Sequence, residues 1–224
     1  MASSTVERAR AGAGIGRRLL GLAAARGSAA HPWFASAALL QGAGAARNLA
    51  DAVHLLCTLH GRHPGVIDLA VGRTPDAASR AWLEESAEAF VVERLYLTRL
   101  AVAAGPIPGT PGGAATEAAV TAQRSGLGTL ASSERNGCAL GAALALAADW
   151  SAIRSVLDTA GRRLGVEPPA FRLSRDAELE AVAARAAQSP AVERALAFGF
   201  EQMLVQHHGL WDLIEARAEA RAEG

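Results

Sequence analysis

Lysine is absent from this 224-residue chain: all 22 basic residues are arginine, balanced by 22 acidic residues to a formal net charge of zero. The arginine bias reads as the mark of a GC-rich coding genome rather than selection for guanidinium chemistry. A chain without a net field has no global attraction for nucleic acid or an anionic membrane surface, so neither is an expected partner. Aromatic residues are scarce at 4% while half the chain is apolar, with alanine the commonest type, which favours closely packed helices over a strand-rich core. There are two cysteines, Cys57 and Cys138, with no Cys-x-x-Cys spacing. That excludes a disulfide framework and suits buried thiols in a reducing cytoplasm. The longest apolar run, Cys138 to Ala148, is bounded by Arg135 and Asp149 and is too short for a bilayer-spanning helix of about 20 residues.

Motifs of established chemistry are missing too. Gly12, Gly14 and Gly16 follow no predicted strand, and no acidic residue stands where a dinucleotide ribose would need one, so a Rossmann reading is rejected. No Walker A, Gly-x-Ser-x-Gly or His-Glu-x-x-His pattern occurs. Arg17-Arg18-Leu19-Leu20 faintly resembles a twin-arginine export signal, but Arg26 interrupts the apolar stretch too early. Residues 1–30 are expected to form a tail with a short helix around Leu19 to Ala25, and residues 31–221 one helical bundle domain.

The periodicity predicts four long helices: Trp33–Leu59, Ala77–Ala104, Leu130–Leu164 and one from Pro190 to about Ala220. Between them lie a connector with a brief extended segment at 66–71, a weak helical piece over 114–124, and a short helix after Ser174. Asp76 is a plausible N-cap, and Gly165 marks a helix end. Four long helices plus short ones make an all-α, single-domain bundle.

Ionisable residues on apolar faces are the candidates for chemistry. In the second long helix Trp82, Leu83, Ala89, Phe90, Leu97 and Leu100 share one face, opposite Glu84, Glu85, Glu88 and Arg99, and Glu93 falls with the apolar set. In the fourth, Leu196, Phe200, Met203, Leu210 and Ile214 share a face that also takes His207, while His208 lies with Glu201 and Asp212. A stripe of Arg47, Asp51, His54 and Thr58 runs along the first, where Asp51 can pair with Arg47 and hydrogen-bond His54. His60 and His63 at its end read as helix-terminus surface residues that could in principle join a metal, and Glu215 to Glu223 as a solvated helix end. Gly137, Gly141, Ala145, Ala148 and Ala152 form a small-residue stripe suited to close helix approach, with Glu134 at the helix start.

Burying a carboxylate or an imidazole is unfavourable unless it has a partner, so Glu93 and His207 are expected to meet polar groups, a metal or a ligand in the core. Two functions fit. The favoured one is a non-catalytic helical protein whose core acids and imidazoles form a closed hydrogen-bond network, with Trp211 at a face edge supporting a homodimer. The other is a metal-binding protein or metalloenzyme in which Asp51, His54, Glu93 and His207 hold a single Fe, Zn or Mn ion. That arrangement resembles the ferritin-like carboxylate proteins in architecture. The di-iron pattern of that family needs two Glu-x-x-His motifs, whereas this chain has one Asp51-Ala-Val-His54 and no second copy.

Overall fold

The structure, a computed structural model, describes residues 2–223, with side-chain surroundings from Gly14 onward. Among these residues there are helices and turns but no strand. The helices are α1 (Ala2–Arg26), α2 (Ala37–Leu40), α3 (Ala45–His60), α4 (Val66–Val71), α5 (Ala77–Ala104), α6 (Gly113–Ala131), α7 (Cys138–Leu164), α8 (Asp176–Ala186) and α9 (Pro190–Ala222).

Two of the long helices, α5 and α9, stand where periodicity places them, and α7 ends where it is expected to. Asp76 caps α5, its Oδ2 accepting from Ser79 N–H at 2.7 Å. Ser189 caps α9 with Pro190 at the first helical position. Gly165, at φ 69°, ends α7 in the left-handed region that glycine adopts without strain.

The differences have local causes. The helix expected from Trp33 to Leu59 is divided into a 3-10 turn at Pro32–Ala35, the short α2, and α3, because Gly42 and Gly44 interrupt the helical run. Each glycine costs about 1 kcal/mol relative to alanine inside a helix. The helix expected from Leu130 is likewise split. α6 runs on to Ala131, much longer than the weak piece expected, and α7 starts only after Gly137, which takes φ 95°. The segment 66–71 is a short helix rather than an extended strand, with the N–H of its N-cap residue Gly65 donating to the Asp68 carboxylate at 2.7 Å. The glycine-rich lead is helical: Gly14 and Gly16 lie within α1, while the surroundings of Gly12 fall outside the described residues. Ile15 and Leu19 join the hydrophobic core, so α1 is more than a tail with a short helix.

α7 is the centre of the molecule, packed by α9 most extensively and also by α3, α4, α5 and α6. By length and composition it is apolar enough to cross a membrane, yet 78% of its most apolar window is buried inside this fold, as expected of a helix that is apolar all round. The small-residue stripe explains how α9 approaches so closely. A Cβ on Gly141 would stand 2.0 Å from Leu196 O, and one on Gly199 would stand 2.0 Å from Cys138 O. The two glycines face the partner backbone from opposite sides of one crossing. Replacing either by alanine forces α7 and α9 apart, and the expected loss is about 3 kcal/mol in urea denaturation. The double variant should cost clearly less than the two losses summed, because one separation relieves both clashes.

Candidate functional site

The core holds polar chains instead of a uniformly apolar filling. In the first, Asp149 on α7 and His207 on α9 meet beside the α7–α9 crossing. His207 Nδ1 lies 2.6 Å from Asp149 Oδ2, and its Nε2 lies 2.9 Å from Nε2 of His60, the last residue of α3. Ser28, the first residue of the 3-10 turn that follows α1, donates its backbone N–H to Asp149 Oδ1 at 2.8 Å and its hydroxyl to Oδ2 at 2.5 Å. Gly27 leaves room for this carboxylate, since a Cβ there would stand 2.6 Å from Asp149 Oδ1. The imidazole of His60 sits edge-on to Trp150, 5.5 Å between centroids, and to Phe90 at 6.4 Å.

Chemistry orders the protons along this chain. Burial pushes the Asp149 carboxyl upward, but the hydrogen bond and charge of His207 and the two Ser28 bonds outweigh it and leave the group below the ordinary carboxylate value. An ionised Asp149 only accepts, so His207 carries its proton on Nδ1. Burial, reinforced by His207, holds the His60 imidazole well below its ordinary value, so His60 is neutral. With His207 also neutral, His60 donates from Nε2 to Nε2 of His207. With His207 protonated, the same bond runs the other way.

A second chain lies across Trp150 from the first. Glu93 Oε1 is 2.6 Å from Arg154 Nη1, and Oε2 accepts from Trp150 Nε1 at 2.9 Å. Arg154 also donates to Asp158 Oδ1 at 2.7 Å and to Pro169 O at 2.5 Å, and its guanidinium stacks over Tyr96 at 4.6 Å. Burial raises the Glu93 carboxyl above its ordinary value, and the Trp150 hydrogen bond and the Arg154 charge offset only part of that rise. Arg154, whose charge is permanent, is the cation that compensates the Glu93 carboxylate.

The third chain joins α3 to the C-terminal end of α9. Asp51 Oδ1 is 2.9 Å from Arg217 Nη2, and Oδ2 is 2.6 Å from Arg221 Nη1. These are charges in contact rather than aligned hydrogen bonds. Arg217 donates to Pro108 O at 2.8 Å and Arg221 to Asn48 Oδ1 at 2.6 Å.

The sequence-derived residues therefore divide. Glu93 and His207 are buried as expected, with 1% and 0% exposure. They do not bond to each other: each has its own partners, with Trp150 bonded to Glu93 and edge-on to His60. Asp51 turns to α9 rather than to Arg47, and His54 Nε2 lies 2.9 Å from Gly105 O rather than against Asp51. The four residues expected to share an ion are thus distributed over separate networks. His60, read as a helix-end surface residue, is buried inside the first chain, and Arg217 is buried where a solvated helix end was expected. Trp211, expected at the edge of an apolar face where it could support a homodimer, is fully buried within the chain. Asp149, Ser28 and Arg154 are the residues that sequence reasoning missed. Asp149 was visible in principle, standing three residues after Leu146 and four before Ile153 in the spacing of a core position.

The protein is thus an all-helical one whose core is tied by carboxylate, imidazole and guanidinium chains. The chain belongs to the family described as "Family of unknown function (DUF6975)", whose model matches residues 23–222 and so covers every residue of the three networks. Among curated proteins and among solved structures, no match is found.

Removing one side of the Glu93 pair tests its energetics. Arg154→Met leaves a buried carboxylate with only Trp150, and the expected loss is about 3–5 kcal/mol in urea denaturation. Glu93→Gln should cost less, because Arg154 keeps Asp158 and Pro169.

His60 gives stability a pH dependence of definite sign. Its folded-state value is depressed, so the unfolded chain binds the proton more readily, and its contribution is fully present above pH 6.5 and lost as pH falls below it. The Asp149 contribution is likewise lost on acidification, but only below the ordinary carboxylate value of 3.8. Chemical denaturation between pH 7 and 5 should therefore show stability falling by up to about 1.4 kcal/mol per pH unit from this one group. His60→Gln, which can still donate to His207 but does not titrate, should flatten that slope.

Proposed function

We propose that this protein is a non-catalytic helical scaffold in which closed polar networks fix the register of packed helices. One observation carries the reading: Glu93, Asp149, His60 and His207 are hydrogen-bonded to other groups of the core, Asp51 is ion-paired with two arginines, and none of the five lines either of the two large clefts. A cleft of about 650 Å³ runs past Thr74, Asp76, Asn136 and Ser189, and another of about 460 Å³ past Arg47, Leu49, Ala160 and Arg163. Neither includes Glu93, Asp149, His60 or His207. A general acid or base must come within hydrogen-bond reach of a substrate atom, and these groups are spent on one another.

The same observation favours a closed network over a ferritin-like metal centre at Asp51, His54, Glu93 and His207. A shared ion would have to compete with two arginines for Asp51, with Arg154 for Glu93, and with Asp149 and His60 for His207. What such a network supplies is specificity: only one sliding register of α3, α7 and α9 satisfies Asp149, His207 and His60 together.

The test replaces the first chain by apolar residues. A variant with Ser28→Ala, His60→Leu, Asp149→Leu and His207→Leu should remain helical and compact, because an apolar substitute avoids the desolvation of the charges. It should lose uniqueness, with broadened and poorly dispersed amide resonances. A sharp, fully dispersed spectrum from this variant would show that register is set elsewhere and refute the proposal.

A further inference from the structure

Between α1 and α2 the chain passes through two 3-10 turns, Ser28–Ala30 and Pro32–Ala35, with His31 between them against α9. Both ring nitrogens of His31 are engaged. Nδ1 accepts from Trp33 N–H at 3.1 Å, capping the second turn, and Nε2 lies 3.0 Å from Asp212 Oδ1 on α9. His208, one helical turn before Asp212, places Nδ1 3.8 Å from Asp212 Oδ2, and its ring is 4.5 Å from that of His31. Two imidazole nitrogens and a carboxylate oxygen thus lie within 4.8 Å of one another.

We propose that His31, His208 and Asp212 form a binding site for a divalent transition-metal ion, with Zn²⁺ the expected occupant. Four ligand atoms about 2.0–2.1 Å from a tetrahedral zinc stand about 3.3–3.5 Å apart. His31 Nε2 and His208 Nδ1 approach different oxygens of the one carboxylate, at 3.0 and 3.8 Å, and one ligand atom from each residue lies within 4.8 Å of the others, so side-chain rotations of about 1 Å bring the three onto one ion. Two nitrogens and one oxygen suit zinc and its neighbours in the first transition row, whereas magnesium and calcium want oxygen ligands. Access is graded as an ion site requires. The His31 side chain is 2% exposed and anchors the site, while those of His208 and Asp212, at 41% and 64%, open to solvent and leave a coordination position for water.

Binding has a definite cost. Because His31 Nδ1 accepts from Trp33, the free ring carries its proton on Nε2 and donates it to Asp212. Coordination through Nε2 moves that proton to Nδ1. The ring loses no proton overall, but Trp33 N–H loses its acceptor. The ion must therefore overcome one capping bond, and three protein ligands hold it less tightly than the four of a closed structural site. In return it clamps the segment after α1 to α9, three residues from the Ser28 contact with Asp149. Metal occupancy at the surface thereby reinforces the buried chain from outside.

Untagged full-length protein, stripped with chelator and titrated with ZnCl₂ by calorimetry, should bind one ion per chain with a dissociation constant on the order of micromolar. Co²⁺ should give the visible bands of a four-coordinate site, and millimolar Mg²⁺ should not compete. Because His31→Ala also removes a cap, the decisive variants are His208→Ala and Asp212→Asn, whose side chains are solvent-facing. Each should weaken Zn²⁺ binding about tenfold or more; His208→Ala should leave the metal-free melting temperature unchanged, and Asp212→Asn, whose amide oxygen can still accept from His31, should lower it only slightly, while zinc raises the melting temperature of the parent protein well beyond that of either variant. Absence of saturable binding below about 100 μM, or one-ion binding that both variants leave unaltered, overturns the proposal.

Discussion

The contact between α7 and α9 is the constraint on which the rest of this structure depends. Gly141 and Gly199 let the two backbones touch, and that proximity brings Asp149 and His207 to 2.6 Å in the dry centre of the molecule. A buried carboxylate is tolerable only with donors on its oxygens. Asp149 has three, two of them from Ser28, so the chain leaving α1 is drawn into the core by the same charge that joins α7 to α9. His60 extends the tie to α3. One ionised group thereby sets the relative positions of four segments.

The remaining buried and partly buried carboxylates follow the same logic of individual compensation. Glu93, Asp51 and Asp68 each face an arginine: Arg154, the Arg217–Arg221 pair, and Arg94. The absence of lysine, weightless as a compositional fact, suits this architecture. A guanidinium offers five donors in a fixed fork, so Arg154 serves Glu93, Asp158 and the Pro169 carbonyl at once, which the single ammonium of lysine could not do in the same plane. The exposed pairs, such as Arg18 with Glu193, are of the kind that contributes little to stability.

Much of the local structure was legible in advance. The extents of α5 and α9, the cap at Asp76, the inward faces carrying Glu93 and His207, and the close-packing stripe on α7 all follow from spacing and backbone chemistry. The errors concentrate where glycine decides between continuing and turning. Gly42 and Gly44 break a periodic apolar run, and Gly137 delays α7 by taking a left-handed conformation that no pattern of hydrophobicity announces. His60 was misread because its place at a helix end suggested solvent, although α9 and Trp150 cover it.

The sequence by itself determined that this is a helical protein with charged and imidazole groups on faces that must be buried, because a helix turns about 100° per residue and its apolar stripe has to face the interior. It could not determine which buried group meets which. Glu93 and His207 share the core without touching, and Asp51 passes over Arg47, one turn away, for two arginines more than 160 residues distant. Such pairings depend on how helices far apart in the chain cross and slide, a choice made by the whole set of close contacts at once. Only the tertiary structure therefore decided the partners, and with them the chemistry available to this molecule.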